Sequence, residues 1–90
     1  MIDEFKTNLI KIKNLSSDFE KYLNDKNKIE LDLRNLKAKY RQNKVERDVF
    51  SEYNKRLESV NNELNKVRDK ILSFCNKNRE IINNELKNAI

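Results

Sequence analysis

The sequence predicts an all-α protein: a long antiparallel helical hairpin of the coiled-coil type that associates into a helical bundle. The chain has 90 residues and contains neither glycine nor proline, the two strong helix breakers. Ala, Glu, Lys, Leu and Arg make up close to half of it, as in long helices. Apolar residues also recur at alternating spacings of three and four in both halves, the pattern of helices that pack along one seam.

The first helical arm is predicted over residues 1–42. Its seam is Ile2, Phe5, Leu9, Ile12, Leu15, Phe19, Tyr22, Lys26, Ile29, Leu33, Leu36 and Tyr40. The step from Ile12 to Leu15 breaks the alternation, and Ser17 with Glu20 beside it matches a capping box. Two interpretations stay open: a helix break near residues 15–17, or two serines inside one continuous helix.

A turn is predicted over residues 43–46. Continuing the first seam beyond Tyr40 reaches only polar positions, and Asn43 is able to end a helix without glycine. Folding the chain there pairs Tyr40 with Phe50 and Leu9 with Ile81. The rival architecture is one unbroken helix in a parallel rod.

The second helical arm, residues 47–90, carries an unbroken heptad seam over more than four repeats. With Phe50 as position a, this seam is Phe50, Tyr53, Leu57, Val60, Leu64, Val67, Ile71, Phe74, Asn78 and Ile81. Asn78 here and Lys26 in the first arm are polar residues at seam positions. Each either specifies the register of packing or lies at a solvated edge, with Lys26 extending its charge outward.

The sequence also predicts self-association. Six apolar residues lie off the seams and suggest a second apolar face: Ile10, Leu23, Leu31, Val49, Leu72 and Ile82. The preferred assembly is a dimer of hairpins that forms a four-helix bundle. The predicted core and self-association residues are Phe50, Tyr53, Leu57, Val60, Leu64, Val67, Ile71, Phe74, Ile81, Phe19, Tyr22, Ile29, Leu33 and Leu36.

Positive charge is concentrated around the predicted turn. Residues 34–47 hold six cations against Glu46 alone, and this surplus equals the formal net charge of +5 of the chain. We call Arg34, Lys37, Lys39, Arg41, Lys44 and Arg47 the basic cluster. The cluster is either a solvated helix end or a contact surface for an acidic protein, with nucleic acid and an anionic membrane surface as further alternatives.

Catalytic chemistry is not expected. The chain has no histidine, no glycine for a phosphate-binding loop and a single cysteine, so it predicts no catalytic residues, no cofactor and no metal site. Cys75, beside the second seam, is expected to be a small buried side chain. The sequence shows no signal peptide and no apolar run of membrane-spanning length, and we expect an intracellular, cytoplasmic protein.

The predicted function is therefore non-enzymatic. Residues 1–90 form one unit that self-associates and scaffolds or recruits an unidentified protein through a partner helix or an acidic surface. The first alternative is a nucleic-acid-binding module that uses the basic cluster. The second is a segment of a longer rod-forming coiled-coil protein.

Overall fold

The protein consists of two long helices that form a helical hairpin. The computed structural model describes residues 2–41 and 47–89, and helix α1 spans Ile2–Arg41 while helix α2 spans Arg47–Ala89. All of the described residues are helical, so the predicted all-α hairpin is confirmed. The predicted turn at 43–46 lies outside the described residues.

Contacts within the chain divide it into two compact units. The first unit contains Met1–Phe19 and Lys66–Ile90, and the second contains Glu20–Asn65. In the first unit Asn8 contacts Asn78 while Lys11 contacts Phe74, so α1 and α2 run antiparallel there. A single unbroken helix makes no such contacts within one chain, and that alternative is wrong.

Helix α1 is continuous through residues 15–17, so the predicted possible break is wrong. The hydroxyl of Ser16 donates a hydrogen bond to the carbonyl oxygen of Ile12, 2.7 Å away and one turn earlier. Thr7 does the same to Asp3 at 2.8 Å. A serine whose hydroxyl donates to the preceding turn has its polar group satisfied inside a continuous helix, so it does not require a helix N-terminus at that position.

The irregular step in the first seam disappears in the structure because Asn8, and not Leu9, is the buried residue of that turn. Asn8 is 4% exposed, whereas Leu9 is 47% exposed. With Asn8 included, the buried and half-buried residues of α1 other than Asp32 follow the three-four alternation without interruption. These positions are Phe5, Asn8, Ile12, Leu15, Phe19, Tyr22, Lys26, Ile29, Leu33 and Leu36. The prediction that Leu9 is the seam residue of this turn is therefore wrong.

Helix α2 has the seam that its sequence predicts. Every position of the predicted seam from Phe50 to Ile81 is buried or half-buried. The burial is nevertheless shallow. Among the described residues, the hydrophobic side chains that are buried most deeply are Leu64, Val67 and Ile81, each 7–8% exposed, and no large side chain is fully enclosed.

The second unit shows one of the predicted pairs directly. The rings of Tyr40 and Phe50 meet edge to face, with their centroids 5.2 Å apart and their planes at 86°. This geometry is one that aromatic quadrupoles favour.

Lys26 is half-buried at its seam position, and its Nζ lies 4.0 Å from a carboxylate oxygen of Glu30. Its methylene groups therefore occupy the seam while its charge extends outward.

Candidate functional site

The most specific polar contact of the first unit joins the two helices through a pair of asparagines. The Nδ2 group of Asn8 donates to Oδ1 of Asn78 over 2.9 Å, and Nδ2 of Asn78 donates to the carbonyl oxygen of Phe5 over 3.3 Å. Asn78 is 5% exposed. It is therefore not at a solvated edge, and the alternative that it specifies helix register is the one consistent with its burial.

One side of the seam in the first unit is covered by cations. The Nζ atoms of Lys11 and Lys77 each lie 5.1 Å from the centre of the Phe74 ring, one from each helix. Ammonium groups at this distance are attracted electrostatically to the ring. With Phe50 as position a of α2, Lys77 is at position g. With Phe5 as position a of α1, Lys11 is also at position g.

The opposite side of the seam is apolar and open. A surface hollow of about 290 Å³ lies there, between the start of α1 and the end of α2. Its lining consists of Phe5, Leu9, Ile12, Cys75, Asn78, Arg79 and Ile82. Leu9 on α1, and Cys75 and Ile82 on α2, all occupy position e, so the two e rows of the antiparallel helices border the same hollow.

Exposed apolar residues extend this hollow into a continuous surface. Residues seven apart share one side of such a helix, so Ile2 lies in the row of Leu9, and Leu72 and Leu86 lie in the row of Arg79. We define the apolar face of the first unit as Ile2, Leu9, Leu72, Cys75, Ile82 and Leu86. Its leucines and isoleucines are between 47% and 64% exposed.

Cys75 belongs to this face and is exposed, so the expectation of a buried cysteine is wrong. Position e borders the seam of a two-helix hairpin without being covered by it, because the partner helix contacts mainly a and d. Of the six predicted off-seam apolar residues, only Val49 is half-buried. The other five are exposed: Ile10, Leu23, Leu31, Leu72 and Ile82.

Four members of the basic cluster lie on the last two turns of α1. Arg34, Lys37, Lys39 and Arg41 are all exposed, and none forms an ion pair with another described residue. Arg47 is the first residue of α2, and Lys44 lies outside the described residues. The structure thus places four cations on one helix end, where they also offset the partial negative charge of its carbonyl groups.

The second unit carries a shallow charged groove of about 400 Å³ on its surface. Its lining consists of Asp25, Lys28, Ile29, Asp32, Tyr53, Arg56, Ser59 and Val60. Arg56 stacks on Tyr53, 5.3 Å from the ring centre, and bonds Glu52 over 2.9 Å. The groove is thus lined by side chains of both charge signs together with the apolar Ile29 and Val60.

Residues 2–41 and 47–89 contain neither a cluster of metal ligands nor a membrane-spanning segment. Within these ranges no group of three or more cysteine, aspartate or glutamate side chains is arranged to hold a metal ion. Neither helix, over the same ranges, has a stretch long and apolar enough to cross a membrane.

The fourteen predicted core residues are all buried or half-buried, whereas Asn8 was missed. Leu9 was assigned to the seam instead, because it is apolar and lies next to Asn8 in the sequence. Spacing alone contains the missing signal: Phe5, Asn8 and Ile12 continue the three-four alternation, and a search that admits one polar seam residue identifies Asn8.

No family model matches this chain, and no significant similarity is found to curated proteins or to solved structures.

Proposed function

We propose that this protein is a non-enzymatic assembly module that associates with copies of itself and acts as a scaffold or adaptor for another protein. The observation that supports this proposal is the amount of large apolar surface outside the seam. Nine large hydrophobic residues of the described chain are at least 39% exposed, whereas only three hydrophobic residues are deeply buried. Scattered exposed leucines need no explanation, but so large an excess over the core favours association.

The shallow core supports the same proposal. Among the described residues no large side chain is fully enclosed, and the most deeply buried hydrophobic ones are still 7–8% exposed. Small domains with thin cores commonly gain their missing stability from oligomerisation. A second hairpin that covers the open side of this one would supply that burial in a four-helix bundle.

Sedimentation equilibrium over a wide range of protein concentration tests self-association. We expect a reversible transition from the 10.9 kDa chain to a multiple of that mass. The melting temperature should rise with concentration over the same range, because association stabilises the folded state by mass action. A monomer with concentration-independent melting at all accessible concentrations would contradict the proposal.

The basic cluster supports a second candidate function, binding to nucleic acid. Four described cations without ion-pair partners among the described residues form a positive surface at one helix end. Such a surface binds phosphates without sequence preference and with strong salt dependence. The same charges suit an acidic protein surface, which is the partner that we favour because the sequence has no recognition motif such as a zinc finger, an RNP segment or a helix-turn-helix glycine.

A further inference from the structure

We propose that the apolar face of the first unit is the surface on which a second copy of this chain binds. This inference rests on the proposed function, because it assumes self-association and assigns it to one place. The face combines the two e rows beside the hollow with Leu72 and Leu86. Both helices contribute to it, so it belongs to the folded hairpin and not to either helix alone.

Together with Arg79 and Ala89, the α2 residues of this face have the spacing of a second packing seam. Leu72, Cys75, Arg79, Ile82, Leu86 and Ala89 follow one another at spacings of three, four, three, four and three. Such a row is what a helix presents to another helix. Arg79 is the one charged residue in it, and a long arginine side chain lays its methylenes on apolar neighbours while its guanidinium reaches the rim.

The two sides of the first unit differ, which selects this face over the opposite one. Lys11 and Lys77 cover the other side of the seam at Phe74, and bringing two copies together there would force four ammonium groups out of water. In the second unit the e positions are mostly polar: Glu30, Lys37, Asn54 and Asn61 follow Leu23. Apolar residues thus predominate at position e only in the first unit, where Ser16 and Arg68 are the polar exceptions, while Leu23 is isolated in the second unit.

The size of the face fits a copy-to-copy interface. Its five leucine and isoleucine residues, each about half exposed, present on the order of 400 Å² of apolar surface, within the range of functional patches. Each partner of a standard stable interface contributes about 800 Å², of which somewhat more than half is apolar. A two-fold contact that places this face on its own copy meets that requirement without any other protein.

The test compares two lysine substitutions in the first unit. Ile82→Lys puts a charge in the face, whereas Ile10→Lys puts the same charge at a residue that is 61% exposed and outside the face. We expect Ile82→Lys to raise the dissociation constant of the dimer by about 30-fold or more, the size of an interface hot spot. Ile10→Lys should leave the constant close to that of the natural chain. Circular dichroism of both variants verifies that they remain helical.

The single thiol supplies an independent measurement. Cys75 lies within the face and is exposed in the single chain, so its reaction with a maleimide should slow as protein concentration rises and dimers form. In Ile82→Lys it should stay fast at the same concentrations. Should Ile82→Lys fail to fold, Leu72→Lys replaces it in both measurements.

The possible outcomes separate this inference from the proposed function. A natural chain that never leaves the monomer state overturns both. Binding of that monomer to anionic vesicles would then assign the face to a lipid surface if Ile82→Lys abolishes the binding and Ile10→Lys keeps it. A stable dimer with unchanged Cys75 reactivity, or one that tolerates Ile82→Lys as well as Ile10→Lys, overturns the assignment of the face while self-association stands.

Discussion

The side-chain nitrogen of Asn8 lies 2.9 Å from the side-chain oxygen of Asn78, and this hydrogen bond crosses between α1 and α2 in the buried seam of the first unit. An asparagine in an apolar seam lowers stability but penalises registers that leave its amide without a partner. Here both members of the pair come from one chain, and the pair fixes which turn of α1 lies beside which turn of α2.

Replacing one asparagine should be costly. In Asn78→Leu the buried amide of Asn8 loses its acceptor, and an unsatisfied buried polar group costs about 1–3 kcal/mol. We expect a decrease of that size in the free energy of unfolding, measured by urea denaturation. The matched control is Asn76→Leu, which changes an exposed asparagine of the same helix and should alter stability by about 0.5 kcal/mol or less.

Replacing both asparagines should reverse the loss. In the double variant Asn8→Leu with Asn78→Leu no buried amide is left without a partner, and the apolar seam becomes continuous. We expect unfolding to require more urea than in either single variant. Sedimentation velocity should at the same time reveal more than one assembled species, because the polar pair no longer rejects alternative alignments. A double variant as unstable as Asn78→Leu would contradict this role.

Ser17→Ala tests the continuity of α1. Inside a helix, alanine is more favourable than serine by up to about 0.5 kcal/mol, so the variant should be slightly more stable than the natural chain. Were Ser17 the cap of a separate helix, the same change would cost about 1 kcal/mol. Thermal melts at one fixed protein concentration distinguish the two signs.

A double-mutant cycle should detect the contact between Tyr40 and Phe50. Edge-to-face pairs contribute about 0.5–1.5 kcal/mol beyond burial, and the 46% exposure of Tyr40 places this pair at the lower end. The cycle uses Tyr40→Ala, Phe50→Ala and the double variant in urea denaturation. The control cycle combines Tyr40→Ala with Tyr53→Ala. The Tyr53 ring is contacted by Arg56, so we expect a coupling energy between Tyr40 and Tyr53 near zero.

Neutralising the basic cluster separates the two candidate functions. Changing Arg34, Lys37, Lys39 and Arg41 to glutamine should barely affect stability, because these side chains are exposed and exposed charges each contribute a fraction of a kcal/mol. We expect weak duplex binding before and after the change, and slower association with an acidic protein partner after it. The control variant removes four exposed lysines elsewhere: Lys21, Lys55, Lys70 and Lys87.

Fluorescence anisotropy with a short labelled duplex gives the answer for nucleic acid. Sub-micromolar, salt-sensitive affinity that the cluster variant loses and the control variant keeps would favour the nucleic-acid alternative over the protein partner.

Most of the fold follows from the sequence, because the apolar period of α2 and the lack of glycine and proline leave few alternatives to two long helices. Asn8 was not predicted although its spacing fits the seam, because its neighbour Leu9 is apolar and the partner that makes a buried asparagine acceptable, Asn78, lies seventy residues away. Exposure of Cys75 was not predicted because residues beside a seam become buried only when a further helix covers them. A second apolar face was predicted, but only Leu72 and Ile82 of the predicted set belong to the face described here, since its other residues are brought together by the antiparallel placement of the two e rows.

The uneven distribution of burial between the helices has a kinetic consequence. All three deeply buried hydrophobic residues belong to α2, whereas the buried residue of α1 is Asn8. Because each helix buries its seam only against the other, an opening of α1 also uncovers α2, and the half-buried contacts of α1 set a low free-energy cost for that shared opening. We expect the amide hydrogens around Leu64 and Val67 to exchange with deuterium through the same openings as those of the facing turns of α1. An opened chain can pair its α1 with the α2 of a neighbouring molecule, which makes domain swapping a route to the self-association that we propose.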